Sequence, residues 1–247
     1  MPTRILDSVS AEPAELLDGL GWPVERAIES IQVEVVRAAT PEHPRERIRL
    51  SLGARAIEAE VDYSDREPHQ IGSIRLQCAI AFSEAGQRGL LVHGAGLALP
   101  DRGAVVALAP SGGGKSTLSN LSTRFVGLSD ETVLLCPGPT PSISATPLRS
   151  SSDKVPAPRT DPLRALLFLE KSLDPHFERL PASAALRLLL AQAYKLPAEL
   201  APTARLFKRA AQLVAQVPAY RFAFPKSPAG QDLLLRLFDE KLDPKDP

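Results

Sequence analysis

The sequence predicts an α/β fold with a mixed sheet, preceded by a small antiparallel β region and followed by C-terminal helices. Residues 31–61 contain three stretches in which apolar and polar side chains alternate, as they do in half-buried strands. Residues 104–108 form a short apolar run, typical of a buried strand, and a glycine-rich turn and a polar helix start follow it. Residues 206–217 repeat apolar side chains at the spacing of one helix face.

The N-terminal region, residues 1–68, is expected to contain a small antiparallel meander. Gly53 lies in the turn between its last two strands. A short helix is expected over residues 14–20, and an amphipathic helix that covers the sheet is expected over residues 74–82. The strands of the meander are predicted at residues 31–35, 47–52 and 56–61.

Residues 89–99 are expected to form a strand, a glycine kink and a second strand. Residues 100–103 then turn the chain into the strand that precedes the glycine-rich turn. His93 therefore lies one hairpin upstream of that turn. A single histidine on a strand is more often a core residue than a functional one, but Gly94 and Gly96 beside it leave both interpretations open.

Residues 109–117 read Ala-Pro-Ser-Gly-Gly-Gly-Lys-Ser-Thr and indicate a phosphate-binding loop of the Walker A type, the alternative being a glycine-rich turn that binds nothing. The strict pattern, G-x-x-x-x-G-K-[ST], has glycine where this chain has Ala109. Glycine lacks a Cβ, so the backbone can adopt positive φ and approach phosphate oxygens closely. Lys115 is expected to face the ligand rather than pack, and the Ser116 hydroxyl is expected to bind Mg²⁺. The predicted nucleotide-binding residues are Ser111, Gly112, Gly113, Gly114, Lys115, Ser116 and Thr117.

Two carboxylates, Asp130 and Glu131, precede an apolar strand. Only one helix and a turn separate them from Lys115, whereas the second acidic motif of transporter-type ATPases lies far downstream. We expect Asp130 to face the same phosphates, where a carboxylate can accept a proton from an attacking hydroxyl. The alternative is a solvated acidic turn.

The remaining chain is expected to contain a long loop, a buried strand and three helices. Residues 137–162 are rich in Pro, Ser and Thr and predict a lid, a substrate loop or disorder. A cation from this loop, Arg149, Lys154 or Arg159, could reach the γ-phosphate. Residues 240–247 predict a polar tail that frays. The strand is predicted at residues 166–169, and the helices at residues 184–194, at residues 206–217 and from the cap Ser227-Pro228 onward.

Composition argues against several classes of protein. The 247 residues contain 29 Lys and Arg against 29 Asp and Glu, so nothing in the charge indicates nucleic acid or an anionic membrane as a partner. No apolar run approaches the roughly 20 residues of a membrane helix, and the N-terminus lacks the apolar core of a signal peptide. Cys78 and Cys136 form neither a disulfide framework nor a metal spacing. A cytoplasmic location is therefore expected.

Taken together, the motifs resemble the catalytic core of HPr serine kinase/phosphorylase. They look closer still to the short HPr-kinase-like proteins of bacterial gene clusters, and phosphoenolpyruvate carboxykinase has a similar core. The resemblance covers roughly residues 70–240 and implies a P-loop mixed sheet of the HPr kinase C-terminal domain type over residues 69–240, with residues 241–247 as a tail. The motifs that carry it are His93-Gly94, residues 110–116 and residues 129–131.

The resemblance implies phosphoryl transfer from ATP, with Mg²⁺, to a Ser or Thr hydroxyl of a protein or peptide. Asp130 matches the family's first acidic residue, which serves as base and metal ligand. Glu131 stands where the family usually has a second Asp, so metal binding is implied there with a longer side chain. His93 matches the histidine near the transferred group, and Lys115 completes the implied catalytic set.

The resemblance also implies a homo-oligomer. The family's arginine- and glycine-rich C-terminal signature is not visible in this sequence, so neither phosphorylase activity nor HPr as the substrate is expected. Two other functions remain open at this point. One is a nucleotide-binding regulatory or scaffold protein without transfer activity, and the other is a small-molecule kinase on the same core.

Overall fold

The computed structural model of the chain shows an α/β fold with a mixed sheet of mostly antiparallel strands and several helices. It describes residues 6–8, 31–38, 45–52, 55–62, 89–121, 123–129, 131–146, 159–194 and 203–243. The predictions that lie outside these residues are the helices at 14–20 and 74–82, the Gly53 turn, Cys78, Asp130, Arg149 and Lys154.

In the N-terminal part that the structure describes, four antiparallel strands form one sheet in chain order. They are β1 (Leu6–Ser8), β2 (Ile31–Ala38), β3 (Arg45–Leu52) and β4 (Arg55–Asp62). The predicted meander of β2, β3 and β4 is confirmed. The three residues of β1 are too few to show a pattern in the sequence, and they pair with β2 with Leu6 opposite Val36.

From residue 89 onward, the described residues form a second sheet of eight strands. The strands are β5 (Leu90–Leu99), β6 (Gly103–Leu108), β7 (Val126–Ser129), β8 (Thr132–Cys136), β9 (Ser142–Ala145), β10 (Thr160–Lys171), β11 (His176–Arg179) and β12 (Ala219–Phe224). Their order is β11-β12-β10-β6-β5-β8-β9, and β7 pairs with β5. The central pairs β6–β10 and β10–β12 are parallel. Because β9 pairs with both β8 and the start of β10, five of these strands close into a ring.

Helices cover both faces of this sheet. They are α1 (Lys115–Leu121), α2 (Ala182–Gln192), α3 (Thr203–Gln216) and α4 (Ala229–Leu237), which continues into a π-helical turn (Phe238–Leu242). Helices α2 and α3 pack on one face through Leu189 and Leu213, and α1 and α4 pack on the other through Leu118 and Leu234. None of the described helices combines the length and the apolar character needed to cross a bilayer.

The β5–β6 hairpin is confirmed, whereas the two strands expected within residues 89–99 form one continuous strand, β5, whose pairing with β7 is irregular between Gly96 and Leu97. The glycines of β5 allow close packing. A Cβ at Gly94 would lie 3.0 Å from the Leu108 side chain, and a Cβ at Gly96 would lie 2.9 Å from the Leu128 Cβ. In the hairpin turn, Asp101 has a φ of 63°.

The loop expected over residues 137–162 is wrong at both ends, because it contains β9 and the first residues of β10. Arg159 does not approach the glycine-rich loop. Its guanidinium donates to both carboxylate oxygens of Asp161, at 2.6 and 2.8 Å. Since β10 runs parallel to β6 with Leu163 opposite Ala104, Arg159 lies at the opposite end of β6 from that loop.

The three C-terminal helices are confirmed, with three corrections. Phe207 belongs to the apolar face predicted over residues 206–217 but is 52% exposed, and the buried stripe runs through Arg209 instead. Helix α4 begins at Ala229 without a side-chain cap, so Ser227 does not cap it. Fraying does not begin at residue 240, because the π-helical turn is packed and Asp243 pairs with Arg102 at 2.9 Å. Strand β12, which lies beside β10, was not predicted.

Phe238→Ala should lower the free energy of unfolding by about 3–5 kcal/mol, because Phe238 is fully buried between α4 and the sheet. The matched control is Phe207→Ala, which removes the same side chain from a half-exposed site and should cost about 1 kcal/mol or less. Urea denaturation of both variants measures the difference. Equal losses would contradict the packing described for the C-terminal turn.

Candidate functional site

The glycine-rich loop joins the buried end of β6 to the start of α1. Gly112 and Gly114 adopt positive φ values of 72° and 103°, which favour glycine. A Cβ at Gly113 would lie 2.5 Å from the Cβ of Ala109, so glycine is required there for space. The methyl group of Ala109, at the position of the first glycine in the strict pattern, is therefore accommodated because residue 113 has no side chain. The Gly113 N–H closes the turn by donating to the Pro110 carbonyl at 3.0 Å.

Lys115 lies against this loop and is only 6% exposed, so the expectation that it would not be packed is wrong. Its ammonium donates to the carbonyls of Ala109 at 2.8 Å and Pro110 at 3.3 Å. Lys115 is the first residue of α1, and side chains at a helix start lean toward the N-terminus, which directs the ammonium back over the loop. An ammonium has three N–H groups. These two carbonyls occupy two of them, and the third can meet an anion.

His93 of β5 and Glu131, in the turn between β7 and β8, come into contact. The Nε2 atom of His93 lies 3.3 Å from the Oε1 atom of Glu131. Backbone contacts hold this pair in place, because the Gly94 N–H donates to the Glu131 carbonyl at 3.0 Å. The Ser129 hydroxyl accepts from the N–H groups of Glu131 and Thr132, which fixes the turn between β7 and β8.

Lys115 completes an electrostatic cluster with this pair. Burial lowers the pKa of His93, the charge of Lys115 lowers it further, and the charge of Glu131 opposes both effects. Burial also lowers the pKa of Lys115, again opposed by Glu131. The neutral form of His93 is therefore favoured at pH 7. The Glu131 carboxylate remains accessible, since its side chain is 38% exposed.

Two of the predicted site residues, His93 and Glu131, are thus in contact, and Lys115 lies near enough for its charge to act on the pKa of His93. Ser111 and Ser116 are exposed and Thr117 is half-buried, all within the loop or the first turn of α1. Asp130 lies outside the described residues, between the described Ser129 and Glu131. Within the described ranges, no three His, Cys, Asp or Glu side chains cluster as a metal site, and the predicted magnesium ligands Ser116, Glu131 and Asp130 stay a prediction.

Sequence reasoning missed one residue at this site, Tyr194. Its hydroxyl shares a 3.2 Å hydrogen bond with the Thr132 hydroxyl, next to Glu131. No spacing or motif in the sequence connects the end of α2 to β8, so only the tertiary structure identifies it. Comparison of the chain with models of protein families and with curated proteins gives no match.

Replacing the two charged neighbours of His93 should move its pKa in opposite directions. In the wild type the pKa of His93 should lie below 6.5. Lys115→Met removes a positive charge and should raise it, whereas Glu131→Gln removes a negative charge and should lower it further. Imidazole resonances followed by NMR across the pH range measure these values, with His93→Gln to assign the signal. Shifts of the same sign in both variants would contradict the cluster.

Proposed function

We propose that this chain is an ATP-dependent kinase of the HPr-kinase-like type, which transfers the γ-phosphoryl group to a hydroxyl of a protein or peptide. The observation that carries the proposal is the 3.3 Å contact of His93 with Glu131 beside a glycine-rich loop whose Lys115 is buried against the Ala109 and Pro110 carbonyls. Phosphoryl transfer depends on charge neutralisation and positioning rather than on covalent chemistry with the protein. A buried cation, a neutral imidazole and a carboxylate beside a glycine loop suit that requirement.

The loop residues would hold the phosphates of ATP. The positive φ values of Gly112 and Gly114 are conformations from which a loop can turn N–H groups toward an anion, while the Gly113 N–H is used to close the turn. Among the described residues other than its chain neighbours, none has an atom within 4 Å of where a Gly112 Cβ would be, so the loop is open to them on that side. The remaining N–H of Lys115 would add a charged donor there.

The donor set also fits Mg²⁺, which prefers hard oxygen ligands. The Ser116 hydroxyl is exposed at the start of α1 and the Glu131 carboxylate is accessible, so both would hold the ion, and a part for Asp130 in holding it is the alternative that the Asp130 variant below tests. When bound, the ion neutralises charge on the phosphates.

His93 and Asp130 are assigned to the acceptor side. The contact of the His93 Nε2 with Glu131 favours the proton on that nitrogen, which leaves Nδ1 as a hydrogen-bond acceptor. A neutral imidazole so held can orient an attacking hydroxyl without adding charge. Asp130, the residue before Glu131, is proposed to accept the proton of that hydroxyl.

Lys115→Met should weaken binding of ATP with Mg²⁺ by about 10- to 100-fold, the usual worth of a hydrogen bond to a charged group. Titration calorimetry measures the affinity, and a thermal melt checks that the loop, which Lys115 also holds, is still folded. Lys208→Met, an exposed position on α3, provides the matched control and should leave affinity unchanged. Equal affinity in the wild type and Lys115→Met would remove the phosphate-loop assignment.

Asp130→Asn should reduce phosphoryl transfer by about 10²- to 10⁴-fold while ATP affinity survives, because it removes a proton acceptor and keeps the shape. If Asp130 mainly holds the metal, affinity should fall as well and extra Mg²⁺ should partly restore activity. Glu131→Gln is the contrast, since metal binding is assigned there. Unchanged transfer to a verified acceptor in Asp130→Asn would sink the kinase assignment.

The assay combines labelled ATP, Mg²⁺ and the proteins encoded by neighbouring genes as candidate acceptors. Transfer to one of them would support the proposal and identify the substrate. Nucleotide binding without any transfer would indicate a regulatory or scaffold protein, and transfer to small molecules alone would indicate a small-molecule kinase.

A further inference from the structure

We propose that Tyr194 is a positioning residue of this site, which fixes Glu131 against His93 by way of Thr132. The inference rests on the proposed function, since it assigns Tyr194 a part in phosphoryl transfer. Tyr194 comes from the end of α2, which packs on the sheet face opposite α1.

The chain brings Tyr194 to the site through the edge of β5. Strand β6 stops pairing with β5 at Gly94 opposite Leu108, where it enters the glycine-rich loop. Beyond that point, Ala193 forms a bridge with Val92, and the Tyr194 N–H donates to the Leu91 carbonyl at 2.9 Å. The residues after α2 therefore pair with β5 where β6 no longer does, and they lie next to the loop.

The ring of Tyr194 lies on the same face of the sheet as His93. It packs against Leu91 and Leu134, which are paired across β5 and β8. Leu91 and His93 are two residues apart on one strand, so their side chains share a face. That face also carries Ala95, which packs in the same core as Leu118 of α1.

The hydroxyl of Tyr194 shares a hydrogen bond with Thr132, the residue that follows Glu131. Thr132 is 1% exposed and lies directly opposite His93 in the β5–β8 ladder. Its hydroxyl bonds to Tyr194 at 3.2 Å, its N–H bonds to the Ser129 hydroxyl, and its carbonyl accepts from the Thr146 hydroxyl at 2.6 Å. The hydrogen bond between the Thr132 and Tyr194 hydroxyls ties this point to the residues that follow α2. A displacement at Thr132 would carry Glu131 away from His93, and small misplacements at a phosphoryl-transfer site reduce rate strongly.

The test compares Tyr194→Phe, Thr132→Val and the double variant, each of which removes a hydroxyl and keeps the shape. Each single change should lower kcat by about 3- to 10-fold, the effect of one hydrogen bond, with KM for ATP unchanged. The double variant should be no slower than the slower single variant, because both changes break the same bond. Tyr220→Phe is the matched control. It removes a bonded hydroxyl on β12, which β10 and β6 separate from β5 and His93, and should leave kcat unchanged.

A second readout separates this inference from the proposed function, because it needs no activity. In the nucleotide-free protein at pH 8, the His93 imidazole resonance should move in Tyr194→Phe and Thr132→Val toward its position in Glu131→Gln. It should stay in place in Tyr220→Phe. If the wild-type protein transfers no phosphate, the proposed function is wrong. The His93 resonance would still show whether Tyr194 positions Glu131 through Thr132. A resonance in Tyr194→Phe that coincides with the wild type overturns the positioning role, whatever the activity.

Discussion

The candidate site depends on the backbone of one glycine. On one side Gly94 pairs with Leu108, the last residue before the glycine-rich loop, and on the other its N–H donates to the carbonyl of Glu131. A side chain at this position would press on Leu108 and Val106 at 3.0 Å. Because β5 and β6 approach so closely at Gly94, only the width of β5 separates the loop that holds Lys115 from the turn that holds Glu131. His93 lies on β5 between them.

The two cores of the molecule support this arrangement from opposite faces of the sheet. Helices α2 and α3 pack on one face. Helices α1 and α4 pack on the other, and α1 begins at the glycine-rich loop. The site lies where the second core ends along β5, between Ala95, which is buried in that core, and Leu91, which belongs to the small cluster around Tyr194. Polar groups can therefore meet there without being sealed inside a core, as the half-exposed Glu131 illustrates.

Features that depend on neighbouring residues could be predicted from the sequence, and those that depend on distant ones could not. The meander, the hairpin before the loop and the C-terminal helices follow from local periodicity and turn residues. The direction of the Lys115 side chain, the register that sets His93 opposite Thr132 and the approach of Tyr194 depend on tertiary packing, which periodicity does not encode. Phe207 shows where periodicity misleads, because it is exposed while Arg209 lies in the buried stripe of α3. The Arg209 guanidinium donates to the Gly89 carbonyl at 2.8 Å, and the aliphatic part of its side chain packs.

The strand order of the second sheet has a consequence for how the protein reaches this structure. The hairpin of β5 and β6 joins chain neighbours and can form within microseconds. The parallel pairs of β10 with β6 and with β12 join segments that are distant in the chain, and such pairings form slowly because long loops must close first. The loop and His93 would thus exist as a local hairpin well before β10 and β12 enclose them. During synthesis, the apolar strands of that hairpin would stay uncovered until β10 and β12 are made, and uncovered apolar strands favour aggregation.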